Sequence, residues 1–140
     1  MQTMSRLEDL KEQALKELKS KYSCDIFLCP VFPTVAPLKT VALNSLIAGF
    51  GLTVYWNMLG MPSGVVPVTQ VNFDETSFRD PVNDFFTHYA YQTMSNSGGM
   101  PVGVQIVGAI NHDETVLKVM KELQDRVKFK LPIKFTEWNL

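Results

Sequence analysis

The stretch "SNSGGMPVGVQIVG", residues 95–108, decides how the chain is read. Its first half holds serines and a double glycine, the ingredients of a nucleophile loop or of a turn. Asn96, Gly98 and Gly99 are turn residues, and the apolar run from Met100 to Gly108 reads as a buried β-strand. Side chains alternate across a sheet, so Val102, Val104 and Ile106 share one face, and Gly103, Gln105 and Val107 share the other. On that second face Gly103 leaves room for another backbone. Gln105 is the polar exception, and a buried amide has to be hydrogen-bonded, so it is expected to tie the strand to a loop.

Downstream, Asp113 to Val127 forms an amphipathic helix with Val116, Leu117, Met120, Leu123 and Val127 inward. Asn111 and Glu114 can supply its capping box. The tail "KFKLPIKFTEWNL", residues 128–140, shows no usable pattern. Upstream, "SGVVPVTQV", residues 63–71, is a second strand whose Pro67 demands an edge position or a bulge. Residues 72–97 are polar and acidic, then aromatic, with a helix expected to start near Pro81. A further helix runs from about Val41 to Leu59, with Gly49 and Gly51 marking a bend. Gly60 suits the left-handed residue that ends it, and Pro62 blocks continuation. In "CDIFLCPVFPTVAP", residues 24–37, Ile26 to Cys29 reads as a short strand covered on both faces. Pro30, Pro33 and Pro37 then force an extended loop. The chain opens with a helix whose stripe is Met4, Leu7, Leu10, Ala14, Leu18 and Tyr22, with Ser5 and Glu8 as a capping box.

Helices and strands therefore alternate, which places the chain in the α/β class: a small mixed β-sheet of about three strands flanked by helices. Residues 1–140 are read as a single segment. So small a sheet has free edges that need partners or cover, and it looks like part of a larger domain.

Composition narrows the function. The chain has 140 residues, 46% of them hydrophobic and 19% charged, with a formal net charge of -1, so it carries no basic field to hold nucleic acid. Cys24 and Cys29 lack metal-ligand spacing, and His88 and His112 have no ligand partners nearby; no metal and no cofactor are expected. The first residues are charged and amphipathic rather than a secretory signal, so an intracellular setting is expected, cytoplasmic or peripherally membrane-associated. No charged residue occurs between Lys39 and Asp74. Asn44, Asn57, Pro62 and several glycines interrupt that run, which suits buried core better than a membrane span of roughly 20 apolar residues. The rival reading is a sticky surface, open to self-association or a membrane contact.

Several of these stretches, taken in order, resemble a known family. "DIFLCPVFPTVAP", "YWNMLGMPSGVVPV", "GGMPVGVQIVG" and "HDETVLKVMKELQD" are similar to the closing third of amidase-signature hydrolases. The long connection between Pro67 and Gly99, with "FRDPVNDFF" inside it, resembles the fatty-acid amide hydrolase branch. That resemblance implies hydrolysis of acyl amides or esters by a Ser–Ser–Lys triad set on a glycine- and serine-rich loop. The loop lies upstream of the segment matched here, so no catalytic residue carries over. Ser95 and Ser97 are assigned to turn chemistry. Ser63 fills a position where the family has a small residue before a strand.

What the resemblance does carry over is an acyl-channel lining: Ile47, Phe50 and Val54 on the helix before the Asn57 motif, and Phe86 from the insert. The spacing of Ile47, Phe50 and Val54 independently places them on one helical face, where an ordinary core stripe would also put them. Burial of an acyl chain on such a surface contributes roughly 25 cal/mol per Å². The leading reading is a C-terminal portion of a fatty-acid-amide-hydrolase-like amidase, partnered by the remainder of the amidase domain and by a fatty acyl amide or ester substrate. The alternative is a non-catalytic lipid-binding or self-associating module, a homo-oligomer built on the same fold.

Overall fold

A computed structural model describes residues 2–37, 42–77, 84–95 and 97–130; the side chains of residues 2–4, 42–50, 85 and 86 lie outside the described set. The elements are α1 (Gln2–Tyr22), β1 (Ile26–Pro30), α2 (Ala42–Leu59), β2 (Ser63–Gln70), α3 (Phe85–Met94), β3 (Pro101–Gly108) and α4 (Asp113–Val127). The three strands form one sheet in the order β1-β3-β2. The α/β class and the strand count match the sequence reading, and both ladders are antiparallel, which refines the mixed sheet expected from the alternation.

Apolar content places β3 in the middle. Ile106 and Val107 are both fully buried although they point to opposite faces. On one face Ile106 and Val66 pack against Val116, with Val119, Met120 and Leu123 of α4 around them. On the other, Val107 packs with Leu59 and Met61 under Ala14, Leu15 and Leu18 of α1 and Trp56 of α2. Phe27 of β1 stacks on Trp56 at 5.7 Å, and Tyr22 meets the Phe27 ring edge-on at 6.0 Å, so aromatic contacts join α1, β1 and α2.

Pro67 acts as the sequence demanded. β2 is an edge strand, and its register slips between Pro67 and Thr69, so a bulge accommodates the missing donor. Gly60 ends α2 at φ 68°, with Gly60 N–H donating to the Asn57 carbonyl and Met61 N–H to the Trp56 carbonyl. Those two bonds are the Schellman arrangement. α2 has no basic residue in its last turn, and the Lys11 ammonium of α1 sits beside Gly60 instead, opposite the carbonyl end of the helix.

Other details differ from the sequence reading. β1 is an edge strand, not covered on both faces, because α4 packs on β2 and β3 and leaves Leu28 62% exposed. The α1 stripe is only half used: Ala14 and Leu18 pack inward with Leu15, whereas Leu7, Leu10 and Tyr22 are exposed. The packed residues Ala14, Leu15 and Leu18 lie in the C-terminal half of the 21-residue α1, and Leu7 and Leu10 lie in the turns before them. On α4 the inward set is Val116, Val119, Met120 and Leu123; Leu117 and Val127 are exposed, so the helix rolls toward its 116–119–120–123 face.

Neither terminal-helix capping box forms. α1 already begins at Gln2, which puts Ser5 inside it, and α4 is capped at His112 with no side-chain bond, since Asn111 is in the left-handed turn at φ 65°. α3 starts at Phe85 rather than near Pro81, because the Asp84 carboxylate accepts from Thr87 N–H and Thr87 hydroxyl at 2.9 and 2.8 Å. Pro81 itself lies outside the described residues. α2 runs through Gly49 and Gly51 without a break. No helix among the described residues is long and apolar enough to cross a membrane.

Gly108 and Gly51 give opposite tests of this packing. A Cβ on Gly108 would stand 2.5 Å from Val116 Cγ2, whereas one on Gly51 meets nothing. Gly108→Ala should therefore lower stability by about 1–3 kcal/mol, and Gly51→Ala should raise it by up to about 1 kcal/mol, both read from urea unfolding curves.

Candidate functional site

Beyond β1, Pro33 and Pro37 lack backbone donors, and residues 31–36 run as a series of bends rather than the extended loop expected, while Pro30 closes β1 opposite Val104. This loop rises over the face of the sheet that carries Gly103. Together they enclose an open cavity of about 700 Å³, bounded by residues 30–37, by Val65 and Pro67 of β2, by Pro101 to Gly103 of β3, and by Met94 at the end of α3. Both volume and apolar lining suit a small-molecule site. Gly103 helps to open it, though not as expected: the space beside Gly103 is occupied by the Val65 and Val31 side chains rather than by a close backbone.

Ser97, in the turn that follows α3, borders this cavity. Ser97 is buried, and its hydroxyl donates to the Met94 carbonyl at 2.7 Å; the Ser95 hydroxyl donates to the Tyr91 carbonyl at 2.8 Å. A serine nucleophile has to hand its proton to a base, and both of these spend it on the last turn of α3. Backbone bonds from Val71 to Met100 and from Gly99 to Val71, each 2.9 Å, lace the end of β2 to the turn. The turn-chemistry reading of Ser95 and Ser97 fits this geometry. Ser63 is exposed at the start of β2.

Deeper in the same face lies a polar thread. Gln105 is 4% exposed and sits directly across from Cys29, whose thiol donates to the Gln105 Oε1 at 3.8 Å. Gln105 was expected to bind a loop; instead it joins neighbouring strands, because the antiparallel register puts the two side chains side by side. Burial pushes the Cys29 thiol up, and a hydrogen bond from the Trp56 indole partly opposes that. Both cysteines are free, Cys24 being exposed.

The four residues expected to line an acyl channel fall on two helices that pack together, α2 and α3. Val54 is half-buried on α2 and does not border the cavity described above. The side chains of Ile47, Phe50 and Phe86 lie outside the described residues. α3 connects the two regions, since Phe86 is near its start and Met94, at its end, borders the cavity. The cavity was missed in the sequence although its main signal was present: prolines 30, 33 and 37 mark an apolar loop outside regular structure, but not what it arches over.

A family model described as Amidase matches residues 1–117. None of the curated proteins compared matches the chain.

The thiols test the geometry of the sheet. At mildly alkaline pH, exposed Cys24 should be alkylated by iodoacetamide before Cys29, whose thiolate is scarcer because its pKa is raised. Trp56→Phe removes the bond that favours the thiolate, so the pH midpoint of Cys29 alkylation should move further up. A downward shift would mean that Cys29 is not held under Trp56.

Proposed function

The chain belongs to the amidase family, and on that premise we propose that it supplies the C-terminal portion of a fatty-acid-amide-hydrolase-like enzyme. In this reading it contributes sheet strands and apolar walls, and the Ser–Ser–Lys machinery is carried by the remainder of the amidase domain. The parent reaction is hydrolysis of a fatty acyl amide or ester. The observation that carries this reading is the open apolar cavity beneath residues 30–37, bordered by Ser97 with its hydroxyl already engaged by the Met94 carbonyl.

The substrate's acyl chain would lie along the α2–α3 side, against Ile47, Phe50, Val54 and Phe86, and reach the cavity past the end of α3. Two features support a wall rather than a complete enzyme. Among the described residues no further strand pairs with the outer edges of β1 and β2, and α1 carries exposed Leu7 and Leu10. Apolar surface of this kind is stabilised when another part of the same domain covers it.

The test is turnover. Purified 140-residue chain should release no product from a fatty acyl amide such as oleamide. Hydrolysis that disappears on Ser95→Ala or Ser97→Ala replacement would overturn the proposal. In this reading the remainder of the amidase domain carries a glycine- and serine-rich loop and a lysine-bearing strand.

A further inference from the structure

We propose that the cavity under the Pro30–Pro37 arch selects an apolar chain ended by a nitrogen donor, a long-chain amine, and disfavours one ended by a carboxylate. This rests on the reading of the cavity as a ligand site and names the chemistry it prefers. Among the described residues that border it, Glu75 is the one charged side chain; the others are apolar, apart from Thr34 and Ser97. The hydroxyls of Thr34 and Ser97 donate to the Val35 and Met94 carbonyls, so among the described residues Glu75 is the charge at the opening.

Glu75 is exposed, which places its carboxylate where the cavity meets solvent. Its position is not left to chance. The Asn72 N–H donates to Glu75 Oε2 at 3.1 Å, the Glu75 N–H donates back to the Asn72 carbonyl at 3.1 Å, and the Thr76 hydroxyl donates to the Phe73 carbonyl at 3.3 Å. The local turn therefore holds a carboxylate at the rim of an otherwise greasy space. An ammonium or N–H end meets an acceptor there, while a carboxylate end meets a like charge.

The experiment displaces a neutral fluorescent probe, N-phenyl-1-naphthylamine, from the 140-residue chain with decylamine or with decanoate. Decylamine should displace it at a concentration lower by about fivefold, the equivalent of roughly 1 kcal/mol for a solvent-facing charge pair. Glu75→Gln keeps an acceptor for the Asn72 N–H and removes the charge, so the two ligands should then become equal. Equal displacement in the unmodified chain, or a preference that survives Glu75→Gln, would overturn the head-group proposal and leave the cavity as a ligand site. Failure to take up the probe, or uptake that falls as protein concentration rises because copies seal one another, would overturn both the selectivity and the cavity's role.

Discussion

Ile106 and Val107 are neighbours on one strand, and neither retains contact with solvent. Because successive side chains of a strand leave opposite faces, this pair obliges the chain to build cover on both sides of β3. α4 supplies one side, with Val116 against Ile106, and α1 with the end of α2 supplies the other, with Leu59 and Met61 against Val107. Each fully buried aliphatic side chain is worth about 1.5–3 kcal/mol. The remaining elements are placed by what β3 requires.

The outer strands carry less of that demand and are covered less. α4 packs mainly on β2 and β3 and meets β1 only around Ile26, and the cost appears as exposed Leu28. β2 defends its own edge with Pro67 and the bulge beside it. β1 has no such device before Pro30, and α1 leaves Leu7 and Leu10 exposed. This asymmetry fits the proposed role of the chain as one part of an amidase domain, with β1 and α1 facing the rest.

At the cavity, polar groups are scarce and mostly committed. Among the described residues that border it, the Thr34 and Ser97 hydroxyls bond to the Val35 and Met94 carbonyls. A site with its hydroxyls spent on structure binds and shapes a ligand better than it attacks one. Glu75 stands apart because its carboxylate is oriented by a backbone turn at the mouth.

Local chemistry made much of this legible in the residues alone. The apolar run of β3, the glycine stop after α2, the bulge forced by Pro67 and the span of α4 all follow from backbone restrictions that act within a few positions. The amidase resemblance was legible for a similar reason, as short motifs in a fixed order, and the family match agrees with it. Which half of the α1 stripe is buried, which strand is the uncovered edge, and whether Gln105 meets a loop or Cys29 could not be read in advance. Those depend on how far each element reaches past its neighbour and on the register between strands distant in sequence. The cavity belongs to the same class. Its prolines keep residues 31–37 out of ladder and helix, but only the packing of β2, β3 and the end of α3 beneath them turns that loop into the roof of an open apolar cavity, because a cavity is a property of several surfaces at once.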